Sequence, residues 1–186
     1  MEWEFEFLHA LQSMHSDVLD DIMIFITTLG DVGIIWIVTS ILLMVIPGIG
    51  KESKEHVKMR RVMGICILLS IALNFLLSNL VIKNIIQRPR PYAVDLSLVP
   101  KIIPSEYSYP SGHTSSSFAA ATSIYLVNKR AGKIAFAFAA LMAFTRMYFG
   151  VHYPTDIFGG IVMGISCAAA VKATVTHVMK EKGLAK

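Results

Sequence analysis

Residues 62–82 read VMGICILLSIALNFLLSNLVI, 21 positions without a charged side chain. A transmembrane α-helix needs about 20 consecutive apolar residues, so this run spans a bilayer unaided and decides the fold class. Outward from it lies a second run of that kind, Val32–Gly50. Four shorter runs, Ile22–Leu29, Thr114–Val127, Ile134–Phe144 and Ile157–Val171, need flanking residues or surrounding protein to reach across. The chain is 54% hydrophobic and 16% charged, against roughly 25% charged in an average soluble domain. Such a composition suits lipid as solvent. The expected architecture is all-α: a polytopic bundle of about six transmembrane helices, with residues 1–186 forming one membrane-embedded domain. No linker, long repeat or low-complexity tract divides it.

Glu2, Glu4 and Glu6 stand where a secretory signal would carry basic residues, so the start of the chain is expected to be retained. Trp3, Phe7, Leu11 and Met14 recur at helical spacing with Glu and Gln opposite, which predicts a short helix lying in the membrane interface. The alternation of Trp3, Phe5 and Phe7 also fits a strand. Cys66 and Cys167 fall inside apolar runs and read as small hydrophobes, with no disulfide or metal pattern.

Cytoplasmic loops are enriched in Lys and Arg. The segment Lys51–Arg61 holds Lys51, Lys54, Lys58, Arg60 and Arg61, which puts it in the cytoplasm. Alternation adds Lys129, Arg130, Lys133, Lys172, Lys180, Lys182 and Lys186 to that side, twelve of the seventeen basic residues. A pI of about 9.1 therefore reflects topology and not a nucleic-acid partner. Both termini come out cytoplasmic. Lys83, Arg88, Arg90, Lys101 and Arg146 remain on the outer face, where positive charge is otherwise sparse.

Three polar segments share that face. In KNIIQRPRP, residues 83–91, Lys83, Arg88 and Arg90 lie close together. Each alone could be a snorkelling anchor; the cluster favours an anion, because guanidinium forks match phosphate oxygens and an ammonium adds a movable point charge. In YPSGHTSSSF, residues 109–118, Pro110 and Gly112 shape a turn and Ser111 or a following Thr or Ser caps a helix. That helix N-terminus is a ready anion site, with His113 in reach to exchange a proton. In TRMYFGVHYPTD, residues 145–156, Pro154 suits the first turn of a helix and places Asp156 in that turn, close to His152. A carboxylate on one imidazole nitrogen leaves the other free as base or nucleophile. His113, His152 and Asp156 are also zinc-type ligands, but Lys83, Arg90 and Arg146 around them oppose a divalent cation and suit a transferring phosphoryl group. No metal is expected.

Together these segments resemble the tripartite signature of the type-2 phosphatidic acid phosphatase superfamily. The pattern is Lys, six residues, Arg-Pro; Pro-Ser-Gly-His; then Ser-Arg, five residues, His, three residues, Asp. Here it falls on Lys83 with Arg90-Pro91, Pro110-Ser111-Gly112-His113, and Arg146 with His152 and Asp156, over positions 83 to 156. Thr145 replaces the usual Ser and keeps its hydroxyl. The resemblance implies that His152 attacks phosphorus to give a phosphohistidine and that Asp156 orients it. It implies that His113 protonates the leaving oxygen and then activates water. Lys83, Arg90, Ser111, Gly112 and Arg146 would hold the phosphate, without metal or organic cofactor.

A site at the outer ends of membrane helices suggests a substrate whose phosphate sits at headgroup depth, and the family resemblance implies a lipid phosphate: a polyprenyl diphosphate such as undecaprenyl diphosphate, phosphatidylglycerophosphate, phosphatidic acid or a phosphate of lipid A. The enzyme is expected to be a multi-pass protein of a bacterial plasma membrane with its active site facing outward, in contact with membrane lipids. Arg88, outside the signature, is open to a second phosphate or to lipid headgroups. The rival reading is a lipid-phosphate transporter without hydrolysis; it has no use for His113 alongside His152 and Asp156. Gly160 and Gly164 predict close helix approach and a central last helix. Asn74, Ser78 and Asn79 are expected to hydrogen-bond across the bundle in support of Lys83, while His9, His15, His56 and His177 have no catalytic role.

Overall fold

In lipid, large apolar side chains cover the outside of a bundle, and small or polar ones face one another within. The computed structural model follows that order. It describes residues 2–46 and 53–182, and the secondary structure among them is helical throughout. The helices are α1 (Glu2–Gln12), α2 (Asp17–Thr28), α3 (Ile34–Val45), α4 (Lys54–Phe75), α5 (Lys83–Ile86), α6 (Pro91–Val94), α7 (Gly112–Tyr125), α8 (Lys129–Tyr148) and α9 (Pro154–Glu181). Each apolar run falls on one of the longer helices. The end of the second run, residues 47–50, lies outside the described residues, as do the topology markers Lys51 and Lys186.

The run that decides the fold class is one rod. Ser53 caps α4 by accepting the His56 N–H at 3.2 Å, and α4 passes through a π-helical segment, Leu76–Ile82, into α5. Ile65, Leu69, Leu76 and Leu80 point outward and exposed, while Cys66, Ile67, Ser70, Asn74 and Ser78 are buried. The wider π turns re-aim the residues that follow; the first of these is Lys83, which is buried. By length and composition two stretches are able to cross a membrane, Lys54–Val94 and Pro154–Glu181.

The innermost helix is α7, not the last one. Its Thr114, Ser115, Ser116, Ser117, Ala119, Ala120, Ala121, Thr122 and Ser123 are all buried, because small side chains let three neighbours close on it. Polar pairs fix the register: Trp36 Nε1 donates to Ser117 Oγ at 3.0 Å, Asn74 Nδ2 to Ser115 Oγ at 3.0 Å, and Ser70 and Ser123 share a bond at 3.0 Å. Interhelical bonds of this kind average about 0.6 kcal/mol each in a membrane protein. Gly160 and Gly164 do bring α9 against α7: a Cβ at Gly164 would lie 2.3 Å from the Ser115 carbonyl oxygen. Asn74 makes the expected bond across the bundle, whereas the buried side-chain oxygens of Ser78 and Asn79 have no partner among the described residues.

Residues 2–12 form the expected short helix, and most of the apolar stripe stays on its outer side, leaving another face to dock on protein. Glu4, Leu8 and Leu11 are buried, whereas Trp3, Phe7 and Met14 are exposed. Leu8 packs with Leu98 and Tyr153, and Phe5 meets Tyr153 edge-on at 5.6 Å. The helix thus sits over the loop that carries the site.

Candidate active site

Three turns at one end of the bundle hold the polar residues. α5 ends at Gln87, whose φ of 48° is left-handed and turns the chain towards Arg88 and Arg90. Ser111 precedes α7 in an extended conformation, and Gly112 and His113 form the first turn of that helix. Between α8 and α9, Gly150 takes φ +61° and lets the chain reverse, so that Arg146 and His152 face the same side. Asp156 then caps the start of α9, its carboxylate accepting the Tyr153 N–H at 3.0 Å.

These turns enclose a cavity of about 300 Å³ whose lining includes Lys83, Arg90, Gly112, His113, Arg146 and His152, residues from all three sequence motifs. Asp156 and Ser111 stand behind the wall, both fully buried. Ser111 gives no side-chain cap to α7; its Oγ accepts the Thr114 hydroxyl at 3.0 Å. Arg90 is spread over backbone oxygens, Nε donating to Glu106 at 2.7 Å and Nη1 to Val151 at 2.8 Å. Arg146 Nη1 donates to Thr27 Oγ1 at 2.6 Å, and its buried Nε has no partner among the described residues. Buried guanidinium N–H groups are rarely left so.

The tautomer of His152 follows from its neighbours. Arg90 Nη1 lies 3.3 Å from Nε2 and can only donate, so Nε2 is the acceptor and Nδ1–H points at Asp156 Oδ2, 3.4 Å away. Burial in the turn between α8 and α9 pushes the imidazole down to about 3, against the hydrogen bond it donates to Asp156 and with Arg90 and Arg146 adding to the effect. His152 is therefore neutral at physiological pH, with its Nε2 lone pair towards Arg90 Nη1 at the cavity wall.

Four carboxylate or hydroxyl groups that the motifs do not contain complete the site. Ser108 Oγ donates to Asp156 Oδ2 at 2.5 Å. Asp31, in the turn Asp31–Gly33, meets His113 Nε2 at 2.9 Å. That approach needs Gly30, where a Cβ would lie 2.7 Å from the His113 ring. Glu106 pairs with Lys83. Glu4, from α1, bonds Arg88 at 3.0 Å and the Thr155 N–H and hydroxyl at 3.2 and 2.7 Å. Arg88 in turn donates to Asp156 Oδ1 at 2.5 Å, while part of its side chain lines a neighbouring cavity. His9 and His15 serve the surrounding loop and helix, bonding Asp95 and the Tyr148 carbonyl, each at 2.8 Å.

A second cavity of about 480 Å³ adjoins the first, sharing Asn79, Lys83, Arg90 and the strap Pro104, Ser105 and Glu106. The strap separates the two.

Comparison with known proteins gives one family. Residues 63–180 match the model of the PAP2 superfamily. Undecaprenyl-diphosphatase BcrC of Bacillus subtilis is 31% identical over 163 residues, 87% of this chain and 77% of that one. Among solved structures, a transmembrane PAP2 type phosphatidylglycerolphosphate phosphatase from Bacillus subtilis superposes with a TM-score of 0.72 at 23% identity, covering 95% of this chain and 86% of the other. Aquifex aeolicus LpxE superposes at 0.67 with 29% identity, covering 90% and 93%.

Proposed function

The chain belongs to the PAP2 superfamily, and from that premise we propose that it is a metal-independent phosphatase of a membrane lipid, a polyprenyl diphosphate in the first instance. The observation that carries this reading is the single cavity onto which Lys83, Arg90, His113, Arg146 and a neutral His152 all open. Two features favour a diphosphate. Two of the relatives, from Bacillus subtilis and Sulfolobus acidocaldarius, are undecaprenyl-diphosphatases, and the adjoining second cavity, walled by Lys83, Arg88 and Arg90, gives room for a second phosphate.

In this reading Lys83, Arg90, Arg146 and the Gly112 amide hold the terminal phosphate, with the Ser111 hydroxyl behind them. His152 Nε2 attacks phosphorus and the bond to the bridging oxygen breaks. His113 gives that oxygen its proton, and the polyprenyl monophosphate leaves. Asp156 stabilises the charge on the phosphorylated imidazole. His113 then takes a proton from water, whose oxygen attacks phosphorus; the N–P bond breaks and inorganic phosphate is released. Charge in the transition state is met by fixed cations.

The same reading makes the protein one domain with six membrane passes, both termini cytoplasmic and the site at the outer face. Phosphate release from a panel of polyprenyl diphosphate, phosphatidylglycerophosphate and phosphatidic acid tests the activity. His152→Ala is expected to lower it at least ~10⁴-fold and His113→Ala about 10²–10⁴-fold. Unchanged release by His152→Ala would remove the nucleophile from the scheme. A cysteine placed at Pro104 should label from outside the cell; labelling from the cytoplasm alone overturns the orientation.

A further inference from the structure

Asp156 has two oxygens and only one of them faces His152. Oδ2 takes the His152 Nδ1–H at 3.4 Å, the Ser108 hydroxyl at 2.5 Å and the Tyr153 N–H at 3.0 Å. Oδ1 takes Arg88 Nη1 at 2.5 Å. A buried carboxylate closed onto one guanidinium is a neutral pair, and a neutral pair attracts an imidazolium weakly. The second arm of Arg88 changes this balance, because Nη2 donates to Glu4 Oε2 at 3.0 Å and Glu4 is itself buried.

We propose that the N-terminal helix is part of the catalytic apparatus: Glu4, acting through Arg88, is a positioning residue that aims Asp156 and sets the charge it presents to His152. Two carboxylates around one guanidinium leave one net negative charge. That is the charge a bare carboxylate would offer, now held in a fixed place. The planar fork of Arg88 sets the angle between the two acids, and the Tyr153 ring lies under it, 3.8 Å from ring centroid to guanidinium carbon. Glu4 also grips the first turn of α9 through Thr155, so it reaches the same short segment that carries His152 and Asp156. Glu4 lies outside residues 63–180, the part matched to the family.

The proposal rests on His152 being the nucleophile, and the experiment separates the two. The full chain is purified in detergent, and kcat and KM for polyprenyl diphosphate are measured for wild type, His152→Ala, Glu4→Gln, Glu4→Asp, Arg88→Gln, Arg88→Lys and the Glu4→Gln/Arg88→Gln pair. Failure of wild type to release phosphate overturns the phosphatase reading and this proposal with it. Release that survives His152→Ala does the same. With those controls in order, Arg88→Gln is expected to lower kcat about 100-fold and Glu4→Gln about 10-fold, with KM for Glu4→Gln within about threefold of wild type, since Glu4 lines neither cavity. The double variant should be no slower than Arg88→Gln, because one network is lost once. Glu4→Asp, keeping the charge, should lie closer to wild type than Glu4→Gln, and Arg88→Lys should fall between wild type and Arg88→Gln. The proposal is overturned by Glu4→Gln retaining kcat within about twofold of wild type, or by losses that multiply in the double variant. A fall in folded protein, read by gel filtration and melting temperature, that accounts for the whole loss of activity overturns it as well.

Discussion

Glu106→Gln is expected to lower KM without lowering kcat, because in the substrate-free protein its carboxylate pairs with the lysine that a phosphate would use. The two partners are unequal. The Lys83 side chain is 6% exposed and that of Glu106 is 54% exposed, so solvent screens the pair from one side only. An exposed pair is worth about 0.2–1 kcal/mol, and the upper end suits one whose cation is buried. Substrate must displace that contact, so its removal should strengthen binding by about 1 kcal/mol, or about fivefold in KM. The loop itself should hold, since Arg90 Nε bonds the backbone oxygen of Glu106 and not its side chain. Lys101 adds a separate tie to Asp20 at 2.9 Å.

The assay is steady-state phosphate release at low and high salt. At high salt the wild type loses part of the Lys83–Glu106 attraction, so the ratio of the two KM values should shrink. An unchanged KM would mean that the strap leaves Lys83 before substrate arrives. A raised KM with a lowered kcat would make Glu106 a group that substrate needs, and would refute the reasoning outright.

Gly164→Val should abolish stable folding, as a Cβ there falls 2.3 Å from the Ser115 carbonyl oxygen and 2.9 Å from the Ala119 nitrogen; the loss of a monodisperse gel-filtration peak reads it out. Asp31→Asn should lower kcat by about tenfold with KM little changed, because His113 loses a carboxylate that supports its proton-bearing state; equal rates would exclude Asp31 from the chemistry. His152 predicts a pH dependence of stability. Its native value, held down to about 3 mainly by burial, lies below the ordinary 6.5, so between these values the unfolded chain binds a proton that the native protein refuses. Stability is complete above pH 6.5 and falls as pH drops through this window. Melting temperatures from pH 7.5 down to 4.5 should therefore fall less steeply for His152→Gln than for wild type.

Much of this site was legible in the sequence because its parts are locally patterned. Lys83 and Arg90 sit seven positions apart, Pro154 and Asp156 mark a helix start next to His152, and each apolar run between them implies a helix that returns the chain to the same face. The partners that the pattern lacks are single polar residues joined over long separations: Glu4 to Thr155, Asp31 to His113, Ser108 to Asp156. Nothing near Glu4 distinguishes it from Glu2 or Glu6 except the side of α1 that meets protein. The stripe Trp3, Phe7, Leu11 and Met14 is an apolar face by spacing, yet spacing does not say whether lipid or protein covers it. For α7 the signal was inverted. Its Ser, Thr and Ala residues made the run look like a weak span, and that smallness is what lets it occupy the centre.

The same distinction sorts the cations, which look alike in the sequence. A cation that is to hold phosphate must be released from its partner in the empty site when substrate enters. Burial of the counter-charge decides which are released. Arg88 is held by Glu4 and Asp156, both buried and both saturated with donors, and no approaching phosphate displaces such a pair cheaply. Lys83 is held by a half-exposed side chain on a surface strap, a partner that exchanges readily. Arg146 keeps Nε without a partner among the described residues and lines the cavity. Lys83, inside the motif, thus has a counter-ion that leaves, whereas Arg88, outside it, keeps the counter-ions that stay.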